Sequence, residues 1–170
     1  MSDPEVPAPS HEDEETTIVV AAIDLSALAT RVVEDAARIA RRTWPSAQLH
    51  LLHVFRTSRF DRPKHAGLSS EELLADAQAY LDHYVRLARR LCPAPVTGHL
   101  AEGDPVDEIV KRARSLTADL LIVGAHDVVG IEKFLLGSVS EKIAKNAPCS
   151  VLIVRKKERP YVKVPGERPT

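Results

Sequence analysis

The sequence predicts a three-layer α/β/α domain, in which helices cover both faces of a mostly parallel sheet. Five short apolar segments alternate along the chain with four segments whose apolar residues recur at helical spacing. Strands that alternate with helices are joined by right-handed crossovers, which make the strands parallel and place helices on both faces. The 170 residues are enough for one core of this kind.

Four of the five predicted strands are short and mostly apolar, as expected of strands buried on both faces, and the third is a short segment that contains Thr97, Gly98 and His99. They span residues 17–23, 47–55, 96–100, 118–123 and 150–154. Polar interruptions occur in the second strand, at His50 and His53. Because these residues lie three apart, we expect the two imidazoles to point to opposite faces, which excludes a metal site built from this pair alone.

The helices between the strands carry recognisable start and stop signals. Their predicted starts are Leu28, Ser69, Asp104 and Ser138. The first two end before Pro45 and Pro93, since the residue before a proline avoids the helical conformation. Pro105 directly after Asp104 is typical of a first helical position behind an N-cap. Ser138 and Glu141 have the spacing of a capping box at the start of the fourth helix, which should end near Asn146.

The two ends of the chain differ in composition from the middle. Residues 1–16 contain six acidic residues, no Lys or Arg and three prolines. Such a segment cannot bury enough apolar area to order itself, so we predict a disordered acidic tail. Residues 156–170 are predicted to be a basic tail broken by prolines, which leaves 17–155 as the folded domain. The basic tail lacks the interleaved aromatic residues of a stacking platform, so no nucleic-acid partner is expected.

The remaining bulk features exclude several classes of protein. No apolar run approaches the ~20 residues that cross a bilayer, and the first residues lack the pattern of a secretion signal. We therefore expect a cytoplasmic protein without a membrane partner. Cys92 and Cys149 have no His or Cys at metal-binding spacing, so we interpret them as small apolar residues and predict no metal site.

A candidate anion site follows the fourth strand. Gly124 ends this strand, and Gly137 comes directly before the predicted helix at Ser138. A helix start leaves about four N–H groups unpaired and carries about half a positive charge, and glycine lets a phosphate approach the main chain. The first strand ends at Asp24. Ligands of doubly wound sheets bind outside the carboxyl ends of the strands, so Asp24 and the glycine loop should face one crevice.

Five blocks in the same order resemble the universal stress protein family. The blocks are residues 17–26, 47–54, 103–110, 118–126 and 135–154. The resemblance implies a Rossmann-like fold of the adenine nucleotide alpha hydrolase type, with strand order 3-2-1-4-5. It also implies a homodimer formed through the last strand, at Val151–Val154. The family includes ATP-binding members and members that bind no nucleotide.

One position departs from the motif of the ATP-binding branch. The motif is Gly, two residues, Gly, nine residues, then Gly followed by Ser or Thr. This chain has Gly124, Asp127, Gly137 and Ser138 at the four positions. Asp127 adds a Cβ where the family's loop approaches phosphate, and its carboxylate would repel a triphosphate unless a metal ion or Lys133 intervenes.

The resemblance also implies roles for individual residues. Asp24 would lie near the ribose, Val54 would offer backbone contacts to adenine, and Ala22 would line the base pocket. Gly124 would pass close to the nucleotide. Phosphates would be contacted by Gly137, Ser138, Val139 and Ser140. Two of these residues also have a structural interpretation. Ser138 could cap the fourth helix, and Asp24 could cap the helix that follows it.

Three functions remain open on the sequence. The resemblance implies a regulatory module of the stress response that binds ATP, ADP or AMP, with Mg²⁺ possible beside the nucleotide, and has little or no turnover. The alternative is a dimeric interaction protein that has lost the nucleotide through Asp127. An enzyme on a related sheet is the third, but the chain lacks Gly-x-Gly-x-x-Gly and Gly-Lys-Ser/Thr. No catalytic residue is predicted, since His126 has no partner base or nucleophile in the sequence.

Overall fold

A computed structural model describes residues 16–43, 46–56, 69–125 and 137–155. These ranges contain five strands and four helices in strict alternation. The strands are β1 (Ile18–Ile23), β2 (Gln48–Phe55), β3 (Val96–Glu102), β4 (Leu120–Gly124) and β5 (Ser150–Val154). The helices are α1 (Ala29–Thr43), α2 (Ser70–Leu91), α3 (Pro105–Ser115) and α4 (Ser138–Asn146).

All strand pairs are parallel, and the strand order is β3-β2-β1-β4-β5. This confirms the predicted fold class and the order implied by the resemblance. The chain moves outward from β1 to β3, then returns to the other side of β1 for β4 and β5. The reversal places a crevice between the carboxyl ends of β1 and β4.

Two apolar clusters, one on each face of the sheet, join it to the helices that cover that face. Val19, Ala21 and Ile23 of β1 pack in the cluster under α1 and α2. Val20 and Ala22 belong to the cluster that also holds residues of α3 and α4. Successive side chains of a strand alternate between faces, so the continuous apolar run of β1 serves both layers.

The predicted starts of α2 and α3 are confirmed. Glu72 N donates to Ser69 Oγ at 3.2 Å and Ser69 N donates to Glu72 Oε2 at 2.7 Å, which completes a capping box. Asp104 is the N-cap of α3, where its Oδ1 accepts from Val106 N at 2.9 Å, and Pro105 follows at the first position.

The predicted capping box of α4 is wrong. Gly137 is the N-cap, with no side-chain cap hydrogen bond, and Ser138 is already the first helical residue. The physical reason is that Gly137 takes the extended conformation that precedes a helix, so the Ser138 hydroxyl lies one residue too late to cap it. The Glu141 carboxylate instead pairs with Lys145, one turn further on, at 2.7 Å.

Strand bounds differ slightly from the predicted ones. β3 continues to Glu102 because Ala101 and Glu102 stay in register with Val54 and Phe55 at the end of β2. β4 begins at Leu120 because Asp119 belongs to the turn before the strand. The Asp119 carboxylate accepts a hydrogen bond from Ile18 N at 2.7 Å.

Several sequence predictions fall outside the described residues. These are the acidic tail, apart from Thr16, the basic tail, and the loop positions His126, Asp127 and Lys133. Within the described ranges, no helix is long and apolar enough to span a membrane. The same ranges contain no group of three or more His, Cys, Asp or Glu placed to hold a metal ion.

Candidate functional site

A cavity of about 270 Å³ opens at the carboxyl ends of β1, β2 and β4, on the side covered by α3 and α4. Eight of the nine predicted site residues line it: Ala22, Asp24, Val54, Gly124, Gly137, Ser138, Val139 and Ser140. The ninth, Asp127, lies outside the described residues. Residues from distant parts of the chain thus meet around one space, and their role in binding a ligand stays a prediction.

The floor of the cavity is formed by three neighbouring strands. Ala22 of β1 stands in register between Leu52 of β2 and Val123 of β4, and all three line the cavity. The small Ala22 side chain between two larger ones leaves a hollow at the centre of this floor. Val54 continues the floor, since it lies two residues beyond Leu52 on the same face.

Six lining residues were not predicted. They are Ile23, Leu52, Pro105, Ile109, Val123 and Ile143. Leu52 and Val123 could have been predicted from the alternation of side chains along a strand, because they lie on the same face of the sheet as Ala22 and Val54. Pro105 and Ile109 are on α3, and nothing in the sequence states which strands that helix covers.

Asp24 is positioned by a turn and by α2. Its Oδ1 accepts a hydrogen bond from Ser26 N at 3.1 Å, and the Ser26 hydroxyl in turn accepts from Leu28 N at 3.2 Å. The Tyr80 hydroxyl donates to the backbone oxygen of Asp24. Since α1 begins only at Ala29, the alternative role of Asp24 as the cap of that helix is wrong. The Asp24 side chain is exposed and borders the cavity.

Gly124 contributes main chain to the cavity. A Cβ built at Gly124 would lie 3.5 Å from Val32 Cγ2 on α1 and 3.6 Å from Leu28 Cβ in the turn just before α1. A methyl group there would therefore point away from the cavity, into ordinary contact with the opposite helical layer. Packing against the described residues does not require glycine at this position, and the backbone itself borders the cavity.

The start of α4 forms the polar rim. Ser140 is buried, and its hydroxyl donates to Gly137 O at 2.9 Å, which holds the first turn together. Ser138 and Val139 are exposed. Since the N-cap Gly137 has no side chain and no described side chain caps α4, the N–H groups of its first turn can face a ligand at the helix start.

The wall formed by α3 is tied to the end of β2. Gly103 N donates to Phe55 O at 3.1 Å, and Arg56 forms an ion pair with Asp104 at 2.6 Å. Gly103 has φ +148°, a conformation that favours glycine, so the chain can turn sharply from β3 into α3. These contacts hold Pro105 over the cavity.

The cavity is mostly apolar with few polar groups. Among its described lining residues Asp24 carries the only charge, and the hydroxyl groups come from Ser138 and Ser140. Concave apolar sites with a few convergent polar groups are typical of small-molecule binding. The apolar floor suits a flat hydrophobic ring, and the helix start suits an anion.

The family model of the universal stress proteins matches residues 15–155. A universal stress protein of Methanocaldococcus jannaschii is 31% identical over 144 residues, which covers 83% of each chain. The structure is similar to that of a universal stress protein solved in complex with cAMP, with a TM-score of 0.64, 27% identity and coverage of 82% and 97%. A family protein from Arabidopsis thaliana with AMP bound shares the fold at 21% identity, with a TM-score of 0.59 and coverage of 83% and 92%.

The chain belongs to the universal stress protein family. Its sheet order, alternating layers and cavity at the strand reversal agree with this membership.

Proposed function

We propose that this protein is a regulatory module of the stress response that binds an adenine nucleotide in the cavity at the ends of β1, β2 and β4. The observation that carries the proposal is the convergence of eight residues, from three strands and α4, around one cavity. The resemblance assigns each of these residues to a nucleotide site. A relative at 27% identity solved with cAMP supports the same class of ligand.

The chemistry of the cavity suits the three parts of a nucleotide. The hollow over Ala22, between Leu52 and Val123, would take the base. The exposed Asp24 carboxylate would accept hydrogen bonds from ribose hydroxyls. The first turn of α4 would donate N–H groups to a phosphate. Each part of the ligand thus has a partner of matching polarity.

The number of phosphates is the finer part of the proposal. The branch whose motif frame this chain keeps binds ATP, beside which Mg²⁺ is possible, and AMP or ADP are the smaller candidates. No lysine or arginine is found among the described lining residues, so they offer backbone N–H groups but no cation. The smaller negative charge of a monophosphate needs less neutralisation than that of a triphosphate. Binding of a triphosphate would therefore depend on Mg²⁺ or on residues of the loop 126–136.

We also propose a homodimer formed through β5. This strand lies at the edge of the sheet, and Leu152 on it is 37% exposed. Exposed apolar edge strands tend to pair with another chain. The cytoplasmic location and the low turnover stay predictions from the sequence and the resemblance.

Calorimetric titration with AMP, cAMP and ATP, with and without Mg²⁺, tests the nucleotide. The decisive variant is Ser138→Asp, which places a carboxylate at the first turn of α4 and should weaken binding at least tenfold through charge repulsion. Ser70→Asp is a matched control, because Ser70 is also an exposed first residue of a helix, away from the cavity. Acidic residues favour a helix start, so neither change should unfold the protein.

Absence of heat with every nucleotide would overturn the proposal. Equal losses in Ser138→Asp and Ser70→Asp would show that the nucleotide does not bind at the start of α4.

A further inference from the structure

Two imidazoles form a pair on the sheet face covered by α3. His50 Nδ1 and His99 Nε2 are 2.8 Å apart, and the ring centroids are 5.1 Å apart with planes inclined by 24°. His50 is in register with Thr97, and His99 with Leu52, so the two histidines are diagonal neighbours on β2 and β3. The nucleotide proposal makes no use of them.

The surroundings of the pair disfavour a positive charge. His50 is 8% exposed, and its Nε2 has no hydrogen-bond partner in the part of the chain that the structure describes. Burial and the nearby Arg112 guanidinium of α3 lower the pKa of both imidazoles, that of His99 to about 4. The pair is therefore neutral at pH 7.

Among the described groups, no acidic side chain raises the pKa of either imidazole. On α3, Glu108 lies beside Gly103 and pairs with Lys111 at 3.2 Å. Glu102, at the end of β3, is on the opposite face of the sheet, as alternation from His99 requires. On the other flank of β2, the strand β1 presents the apolar Val20 and Ala22 on this face.

Protonation of the pair changes its bonding. A neutral pair shares one hydrogen between His50 Nδ1 and His99 Nε2. A first added proton leaves a buried cation near Arg112. A second removes the hydrogen bond, since both facing nitrogens then carry hydrogen. Both effects are relieved if α3, with Arg112, moves away and water reaches the rings.

The cavity shares a wall with this arrangement. α3 carries Ile109, one turn before Arg112, and Pro105 at its start, and both Ile109 and Pro105 line the cavity. We infer that the His50–His99 pair is an acid-sensitive element that loosens α3 from the sheet and so opens the α3 wall of the cavity. The movement of α3 does not depend on the proposed function. Only the statement that the opened cavity is a ligand site rests on it.

The test follows α3 directly and does not require a ligand. Methyl NMR of Ile109 and amide hydrogen exchange of α3 are recorded between pH 7.5 and 4.5 in the wild type, His99→Gln and His83→Gln. Glutamine keeps a hydrogen-bonding side chain but does not titrate. His83 is exposed on α2, in the other helical layer, and serves as the control.

In the wild type we expect opening of α3, corrected for intrinsic exchange, to increase on the order of tenfold from pH 7.5 to 5, because the imidazoles regain their ordinary pKa when solvated. The Ile109 methyl signal should shift over the same range. His83→Gln should behave like the wild type, and His99→Gln should lose most of the response. Arg112→Gln is a second variant for the same test if His99→Gln does not fold. It should reduce the response, because the guanidinium that disfavours a protonated imidazole is gone.

An unchanged Ile109 signal and unchanged exchange in the wild type would overturn the inference. A response in His99→Gln and Arg112→Gln as large as that of the wild type would also overturn it. AMP titration at pH 7.5 and 5 separates the two proposals. Failure of AMP to bind at both pH values, together with absence of heat with cAMP and ATP, refutes only the nucleotide function, while the α3 response still decides the inference.

Discussion

Arg56 at the end of β2 and Asp104 at the N-cap of α3 form an ion pair, with Nη2 and Oδ2 2.6 Å apart. The other carboxylate oxygen of Asp104 accepts from Val106 N at 2.9 Å. One side chain therefore both caps α3 and ties its start to the strand that carries Val54. This double contact positions the α3 wall of the cavity.

Substitutions of Asp104 should separate the cap from the ion pair. Asp104→Asn keeps an oxygen that can cap, so the free energy of unfolding should fall by less than ~1 kcal/mol, as expected of an exposed pair. Asp104→Ala removes both contacts and should cost about 1 kcal/mol more. Urea denaturation measures both variants. Equal losses for the two would mean that the cap contributes nothing.

Two glycines in the sheet should respond differently to alanine. A Cβ at Gly98 would lie 2.9 Å from Val85 Cγ2 and 3.3 Å from Leu81 Cδ2, so Gly98→Ala should destabilise the protein by ~1–3 kcal/mol through overpacking. Gly124→Ala meets its nearest described atom at 3.5 Å and should be nearly neutral. Thermal and urea unfolding test the contrast. A larger loss for Gly124→Ala would contradict the geometry of the β4 end.

Stability should fall in acid, partly because of His53. This side chain is 3% exposed, and its Nδ1 lies 2.9 Å from Ile23 O. Burial lowers its pKa, although the hydrogen bond and Asp24 act in the opposite direction. Since the folded pKa lies below the unfolded value of ~6.5, the contribution is fully present above pH 6.5 and is lost as the pH falls toward the folded pKa.

Urea unfolding at pH 7.5, 6 and 5 measures this loss. His53→Asn retains an N–H for Ile23 O and should show a smaller decrease between pH 7.5 and 5 than the wild type. His83→Asn, at an exposed position, is the control. An identical pH dependence in His53→Asn and the wild type would exclude His53 as a contributor.

Asp127→Gly should strengthen ATP binding if the carboxylate is what opposes a triphosphate. The gain should be larger for ATP than for AMP, because repulsion grows with the charge on the ligand. Calorimetry with both nucleotides tests this. Equal affinities of the variant and the wild type for ATP would place the determinant elsewhere in the loop 126–136.

Leu152→Lys should prevent the proposed dimer, because a charge on an edge strand opposes pairing with a second edge. Leu91→Lys is a matched control, since both leucines are 37% exposed and Leu91 ends α2 rather than lying on the edge strand. Light scattering after size-exclusion chromatography gives the mass of each variant. A wild-type monomer, or a dimer that survives Leu152→Lys, would contradict the proposal.

Local patterns in the sequence were sufficient for most of the fold. Apolar runs located four of the five strands, and the short segment 96–100 located most of β3. The caps at Ser69 and Asp104 were predicted because capping depends on residues three or fewer apart. The cap of α4 was missed because Ser138 and Glu141 have the right spacing, while the conformation of Gly137 decides where the helix begins. The six additional cavity residues were missed because their placement depends on packing between elements.

The sequence by itself determined the alternation of strands and helices, the family resemblance, and the residues expected at the nucleotide site, since these depend on local periodicity and short motifs. Only the tertiary structure decided that α3 supplies a wall of the cavity, that Tyr80 of α2 holds the backbone of Asp24, and that His50 stacks on His99 near Arg112. Each of these contacts joins residues far apart in the chain. Their partners are chosen by strand register and by how the helices pack on the sheet, which no local pattern specifies.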